Sequence, residues 1–451
     1  MTIPYPSNPH AVIIIGAGIG GLATALSLHA AGITDIHIFE ASRTLTPLGV
    51  GINIQPHAVL ILRDLGLLPA LDATGIRTKD LRYYNRHGNL VVHEPRGIDA
   101  GYAIPQFSIH RGELQMMLLD AVKERLGPDR VHLDHALESL SQTPETVSAK
   151  FIARSTSLPA SIPSATAACL VAADGINSTV RSLFYPSEGP PRFSGRILWR
   201  GVCERPPFLT GASMLWAGHA DQKFIAYPIS AASTKKEPEM SLVNWIAELR
   251  VRDEEDADLT PPPADWTKTV QRESFLPRFA GWKFPGLDVE ELVEATEKVF
   301  EYPMCDRSPV DKWTFGRVTL LGDAAHAMFP IGSNGASQAI LDAENLAEHL
   351  SRTYKPFSFP AASVAAALLA YEMERLPVTR EIVLANRRGG PDAVLQVAET
   401  RAPGGFERVE EVKGGIVGVT EVKGEKTVKE KEVIDAEIQV RDFAKGKSTA
   451  V

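Results

Sequence analysis

The sequence predicts an α/β fold: a Rossmann-like domain interrupted by an inserted, mainly antiparallel-sheet domain and followed by a C-terminal helical segment. Three observations predict it. Residues 11–32 (AVIIIGAGIGGLATALSLHAAG) pass from a β-branched run through a glycine cluster into helical spacing. Residues 195–249 hold four aromatic-rich and β-branched stretches with no helical pattern between them. Residues 316–350 then return to an apolar strand, a glycine-containing turn and a long helical pattern.

Composition narrows the function classes. A chain of 451 residues with 44% hydrophobic content has room for two or three domains around a sizeable core. Its formal net charge of -8 argues against a nucleic-acid partner, because neutralising phosphates needs an excess of Lys and Arg. Cys169, Cys203 and Cys305 are too few and too scattered for a disulfide framework or a zinc site, which points to a reducing, cytoplasmic compartment and to no metal. The 11–32 stretch is apolar enough to imitate a membrane span. However, it lacks the basic flank and cleavage pattern of a signal peptide, and its glycines cluster where a strand hands over to a helix, so no membrane is expected.

The elements follow in order. Residues 11–15 (AVIII) read as a strand ending at Gly16, Leu22 to His29 as a helix stopped by Gly32, and 35–41 (DIHIFEA) as the next strand, completing a right-handed βαβ unit. A helix is expected within 107–127, after Gly112, and a buried strand at 167–175 (AACLVAADG). The texture changes near residue 190. The stretches 195–202, 213–218, 223–230 and 241–249 read as an antiparallel sheet. The α/β pattern resumes with GRVTLLGDAAH (316–326) and a helix from about Gly335 to Leu350. This divides the chain at 1–190 and 301–390 for the two parts of the dinucleotide domain, 191–300 for the sheet domain, and 391–451 for a charged extension, a hairpin or a mobile tail, that repeats EVKG at 411–414 and 421–424.

Three motifs carry chemistry. Gly16, Gly18 and Gly21 form G-x-G-x-x-G between strand and helix, with Glu40 at the end of the next strand. Gly16 permits the tight turn, Gly18 lets a pyrophosphate approach the backbone, Gly21 permits close helix packing, and the helix N-terminus attracts negative charge. Glu40 can accept hydrogen bonds from ribose hydroxyls. DGINSTVR supplies Asp174, Gly175, Ser178 and Arg181 after a strand; read alone, it is a turn capped by Asp with a solvated Arg. GDAAHAMFPIGSNGAS (322–337) contains Asp323, His326 and Ser333 and raises the thought of a hydrolase triad. No nucleophile elbow such as G-x-S-x-G accompanies it, and no three ligands converge for a metal.

Together these motifs resemble the fingerprints of the single-component flavoprotein aromatic hydroxylases, FAD-dependent monooxygenases similar to 4-hydroxybenzoate and salicylate hydroxylases. The resemblance covers roughly residues 10–405. SIHRGELQ, RVTLLGDAAHAMFPIGSNGASQAILDAENLA and NRRGGPD look similar to the branch of phenazine-1-carboxylate-type monooxygenases and fungal relatives. It implies FAD as cofactor, NADH or NADPH and O2 as co-substrates, and hydroxylation of an aromatic small molecule (phenolic, acidic or phenazine-like) through a flavin C4a-hydroperoxide, by a monomer or homodimer. In this chain it implies that Glu40 holds the adenosine ribose, Arg111 the extended FAD, and Gly51 the isoalloxazine side. Asp323 would bind the ribityl or pyrophosphate region, with Pro330 in the same turn, and Asp174 and Arg181 would serve FAD and the transient nicotinamide. Gly335 and Ala336 would aim helix amides at the flavin N1/O2 edge. Ala327 stands where many relatives carry Pro after the histidine. His326 is then a structural residue under the flavin loop. Trp199, Arg200, Met214, Trp216, Tyr227 and Trp245 are candidates to wall an aromatic pocket. Of these, Arg200 would anchor a carboxylate or phenolate and Tyr227 would donate or relay a proton. Two other readings stay open: an FAD oxidoreductase without oxygen insertion, and a non-catalytic flavin-binding partner protein.

Overall fold

The computed structural model describes residues 8, 10–47, 49–155, 162–230, 240–252, 268–354, 360–408 and 410–413. A six-stranded sheet forms the centre of the first layer. Its order is Thr314–Phe315, Val318–Leu320, Cys169–Ala172, Val12–Ile15, Ile36–Phe39, Val131–His132, parallel throughout except for the hairpin at one edge. Every residue of the strands 12–15 and 36–39 is buried, which explains why they read as unbroken apolar runs rather than alternating ones. The first of these strands hands over at Gly16 to helix Ile19–Ala30, so the predicted βαβ unit forms with both strands parallel.

Helix Gly335–Ser351 packs beside Ile19–Ala30 at a contact of small residues: a Cβ added to Gly20 would lie 3.0 Å from Leu321 Cδ2 and 3.3 Å from Ala339 Cβ. The close approach brings the N-termini of the two helices side by side. The 27-residue helix Ala361–Arg387 packs on Gly335–Ser351 and donates the Tyr371 hydroxyl to Leu320 O at 3.1 Å.

The second layer is a seven-stranded sheet in the order Phe300–Asp306, Arg192–Arg205, Ser241–Arg250, Gln222–Ser230, Ser213–His219, Asp80–Tyr84, Leu90–Pro95. All neighbours are antiparallel except Ser213–His219 with Asp80–Tyr84. The four expected strands are present, but the 191–300 boundary is too narrow. Two strands come from residues 80–95 and one from 300–306, because hydrogen-bonding partners on both edges are drawn from the chain before and after the insertion. A three-stranded sheet of Gly51–Ile54, Gln106–His110 and Ile76–Thr78 lies between the two layers.

The C-terminal expectation needs a correction up to residue 413. Helix Ala393–Arg401 is docked, burying Val394, Leu395 and Ala398 in the same core as Tyr227 and Trp216, and Phe406 is buried there too. The expected hairpin or mobile tail over residues 414–451 lies outside the described residues. Among the described residues no helix is long and apolar enough to cross a membrane.

Candidate active site

The glycine turn has the geometry that its spacing predicts. Gly16 sits at φ +100°, and a Cβ there would come within 2.4 Å of Ala173 O. A Cβ on Gly21 would lie 2.0 Å from Gly16 O, so neither position admits a side chain. At Gly18 such a Cβ meets nothing within 4 Å: this glycine faces open space, and the helix that starts after it has no side-chain cap on its amides. That combination is an anion cradle. Glu40 closes it from the neighbouring strand, its Oε2 accepting from Ala17 N at 2.9 Å and its Oε1 from Ser42 N at 2.7 Å. A carboxylate has about four acceptor positions, so two remain for hydroxyls. Gln115, on helix Arg111–Leu126, donates to Ala17 O at 2.8 Å and pins the turn from the other side. Arg111 opens that helix with an exposed side chain, held by its own N–H to Val50 O at 3.0 Å.

The second cradle is the 322–337 stretch. Gly322 at φ +59° turns the chain into the short helix Asp323–His326, leaving Asp323 exposed and with no hydrogen-bond partner among the described residues. His326 turns the other way. Its Nε2 is 2.6 Å from Asp342 Oδ2, while Arg375 Nε reaches Asp342 Oδ1 at 2.8 Å and the imidazole packs on Trp313. Burial alone would push the Asp342 carboxyl up, but the His326 and Arg375 charges outweigh it and hold it down at about 2. This buried triad locks the turn and contains no nucleophile. Pro330 is exposed, and beyond it Ser333 adopts φ +53°, a left-handed conformation rare outside glycine, supported by Asn53 Nδ2 at 3.3 Å. Helix Gly335–Ser351 follows with no side-chain cap, and Gly335 and Ala336 provide its first, half-buried turn.

Asp174 and Arg181 both build the turns around the site. Asp174 accepts from Ser178 Oγ at 2.6 Å and Val180 N at 3.2 Å, fixing the short helix Thr179–Phe184. Arg181 is 1% exposed, and its guanidinium is consumed by protein: Glu188 takes a bidentate pair at 2.8 and 2.6 Å, and the carbonyls of Ala324, Ala325 and Ser308 accept at 3.0, 2.8 and 2.8 Å. The expectation that Arg181 itself serves FAD or nicotinamide is therefore corrected, because no donor is left over. It acts as a clamp on the turn that presents Asp323.

On the substrate side, Arg200 and Tyr227 converge on one atom. Arg200 Nη2 donates to Gly51 O at 3.0 Å and the Tyr227 hydroxyl at 2.9 Å. The Gly51 N–H in turn donates to Asn244 Oδ1 at 2.8 Å. Gly51 must be glycine, since a Cβ would fall 2.6 to 2.8 Å from Ile229, Asn244 and Tyr227. Burial pushes the Tyr227 phenol up to about 12 against the opposing pull of Arg200, so the hydroxyl remains a donor. Met214 and Trp216 are buried on the same side, Trp216 stacking on Tyr227 with centroids 6.1 Å apart and Gln106 Nε2 donating to Met214 Sδ at 3.4 Å. Trp199 is a correction. Adjacent to Arg200 in one strand, it must point to the opposite face, where it stacks on Phe275 at 4.8 Å and donates Nε1 to Glu301 at 3.0 Å. Trp245 lies on that far face too, with Nε1 bonded to Thr296 Oγ1 at 2.8 Å.

Sequence reasoning missed three groups. Gly20 makes the helix contact that joins the two cradles; the doubled glycine in GAGIGG was its signal. Asn244 was visible as a lone amide inside an apolar strand, SLVNWIAEL. The chain of Thr78, Ser108, Asn53 and Ser333 hydroxyls and amide, linked at 2.8, 2.6 and 3.3 Å, gave no local signal because it spans four distant segments.

Two uncapped helix ends, an open glycine and an unpartnered carboxylate fit a flavin dinucleotide, and the comparisons agree. The model of the FAD binding domain family matches residues 10–386. The chain belongs to the FAD-dependent aromatic hydroxylases. Phenazine 1,6-dicarboxylic acid hydroxylase PhzS of Lysobacter antibioticus is 43% identical over 377 residues, covering 83% of this chain and 89% of its own. 3-Amino-4-hydroxybenzoate 2-monooxygenase PtnB3 of Streptomyces platensis is 32% identical, covering 89% of this chain and 94% of its own. Among solved structures, Klebsiella pneumoniae HpxO complexed with FAD and uric acid superposes with a TM-score of 0.67 at 21% identity, over 97% of this chain and 95% of that one. A salicylate hydroxylase substrate complex gives the same TM-score at 24% identity, over 90% of this chain and 93% of that one. At those identities the two structures speak for the fold alone, and it is the fold of this hydroxylase.

Proposed function

We propose that this hydroxylase uses FAD, NADH or NADPH, and O2 to insert one oxygen atom into a planar, electron-rich aromatic acid of the phenazine type. One observation carries the substrate side: Arg200 Nε and Asn244 Nδ2 are buried donors with no acceptor among the described residues. Buried donors are seldom left unpaired, so a carboxylate or phenolate oxygen of the substrate is the fitting partner. The name of the phenazine dicarboxylate relative supports that class.

Gly16, Gly18, Gly21, Glu40, Arg111 and Asp323 would hold the dinucleotide, with the amides of Gly335 and Ala336 at its flavin end and Gly51 beside the ring. Bound FAD supplies the redox chemistry, carrying reducing equivalents from nicotinamide to O2 and oxygen to the ring. The chain does the rest. Arg200 and Tyr227 fix the Gly51 carbonyl and so the position of the loop against which the substrate ring lies. Arg200 holds the substrate oxygen, and Met214, Trp216, Leu198 and Ile225 exclude water from the chamber. We also place the enzyme in the cytoplasm, as a monomer or homodimer.

The test follows NAD(P)H consumption, O2 uptake and product mass with phenazine and benzoate acids. A product heavier by one oxygen with matching O2 uptake is expected. NAD(P)H oxidation without that product supports the oxidoreductase reading, and no oxidation with any aromatic supports the non-catalytic one. Asp323→Ala is expected to fold but to purify largely free of flavin, as judged by absorbance; full occupancy removes the assignment of Asp323.

A further inference from the structure

A cavity of about 480 Å³ lies apart from Arg200, Tyr227 and Gly51. Its size falls within the roughly 300–1,000 Å³ of small-molecule sites. One wall is the seven-stranded sheet at Arg196 and Lys223. The opposite wall is the C-terminal segment from Asn386 to Arg401, and between them lie Phe329 and Ile331. Those two residues flank Pro330 and so belong to the loop that leads to Gly335. Asn386 Nδ2 fixes this floor by donating to Phe329 O at 3.0 Å, and Gln396 Oε1 ties the far wall to Ala220 N at 3.1 Å. The cavity is a built feature of the fold.

Its charge is opposite to that of the protein. Five cations line it: Arg196, Lys223, Arg387, Arg388 and Arg401. Three carboxylates answer them. Glu248 pairs with Arg196 and Lys223, Asp392 with Lys223 at 3.0 Å, and Asp306 takes a bidentate pair from Arg387. Two positive charges remain over, in a chain whose net charge is -8. The surplus sits on Arg388 and Arg401, both exposed at the rim, neither with an ion pair among the described residues. Arg401 gives one N–H to Val412 O at 3.2 Å and keeps its other donors. Apolar walls with a cationic rim suit a flat aromatic ring bearing a carboxylate.

The cavity shares a sheet face with the chamber. Lys223 and Tyr227 are four residues apart on one strand, and Arg196 and Arg200 four apart on the next but one, which places the two rows roughly 13 Å apart on the same side. We propose that this cavity is a capture site for the anionic aromatic acid, held by its carboxylate at Arg388 and Arg401 before it passes Phe329 and Ile331 to the flavin. The proposal rests on the phenazine-acid reading above and adds a site to it. Arg388 and Arg401 bind here and take no part in the chemistry. A cationic rim on an acidic protein also concentrates the acid locally, with a strong salt dependence.

Equilibrium binding of phenazine-1-carboxylate and of its uncharged methyl ester to the flavin-loaded enzyme tests the site without turnover. In the double variant Arg388→Gln/Arg401→Gln, the Kd for the acid is expected to rise about tenfold and that for the ester by less than twofold. The same contrast is expected in an Arg200→Gln background, where the chamber's own anchor is gone, and Arg388→Lys/Arg401→Lys should restore most of the loss. Equal shifts for acid and ester, no shift, or a shift in NADPH binding in place of the acid each overturn the proposal. An acid-specific loss of binding in the double variant, together with wild-type enzyme that forms no hydroxylated product, leaves this site standing and overturns the reaction.

Discussion

The two faces of the seven-stranded sheet are built from the same strands and do opposite work. Toward the dinucleotide layer the strands present Arg200, Tyr227, Lys223, Asn244 and Glu248 among Leu198, Met214, Trp216 and Ile246. Away from it they present Trp199, Leu215, Phe224, Val243, Trp245 and Ala247, closed over by Phe275, Phe279 and Trp282. A strand alternates sides at every residue, so a single sequence carries both programmes, one residue out of phase. The polar face costs stability, because each buried donor there must be desolvated and Arg200 Nε and Asn244 Nδ2 have no acceptor among the described residues. The apolar face offsets that cost. Close packing on one side offsets the cost of unpaired polar groups on the other.

Substitutions that separate the two faces put this contrast at risk. The largest effect is expected from Trp245→Ala. Trp245 is fully buried and packs on Phe224 and Phe275, so its removal should cost about 3–5 kcal/mol of stability, read by thermal or denaturant unfolding. Enzyme that stays folded at low temperature should keep its affinity for substrate. A variant that lost substrate binding without losing stability would show that the far face is part of the site.

Arg200→Gln should do the reverse. Its kcat/KM for an aromatic acid is expected to fall by about 10- to 100-fold, the size of a lost charge-assisted hydrogen bond, with the uncharged ester affected far less. Burial already opposes the Arg200 charge, so removing it should leave the melting temperature close to wild type or above it. Asn244→Ala sits between the extremes. It strands the buried Gly51 N–H at a cost of about 1–3 kcal/mol and loosens the loop that Arg200 and Tyr227 hold. Both unfolding and KM should move; a change in neither would mean that Gly51 is fixed by other contacts.

How much of this was legible in the sequence differs along the same lines. The glycine turn and its strand, helix and acidic residue were readable because backbone sterics dictate residue type at fixed spacing, as at Gly16 and Gly21. The four central strands were readable from their aromatic and β-branched texture. Strand Asp80–Tyr84 was not assigned to their sheet, since pairing across 133 residues, as in Ser213 with Asp80, leaves no local trace. Parity was readable but unused: Trp199 and Arg200 are neighbours and cannot share a face. Arg181 was misjudged for a different reason. Its motif resembles a cofactor-binding turn, but a guanidinium reaches several acceptors at once, and here it spends its donors on Glu188, Ala324, Ala325 and Ser308, folding two motifs of the sequence into one device.

The smallest effect expected is the most discriminating. Tyr227→Phe removes one hydroxyl from Gly51 O while Arg200 still holds that carbonyl, so at pH 7 the loss in kcat/KM should be less than about tenfold. Its pH dependence is specific. The unfolded phenol releases its proton near the ordinary value of 10.0, the folded one only at about 12, because burial disfavours the phenolate. Between those values the unfolded state binds fewer protons than the folded state, so stability falls as pH rises through that window. Wild type should therefore lose stability more steeply than Tyr227→Phe from pH 10 upward, and the two should run parallel from pH 7 to 9. A basic limb near pH 9 in the wild-type rate profile that Phe abolishes would make Tyr227 an ionising acid in the reaction. It would then be more than a fixed donor, and the polar face would be chemically active beyond its role in holding Gly51.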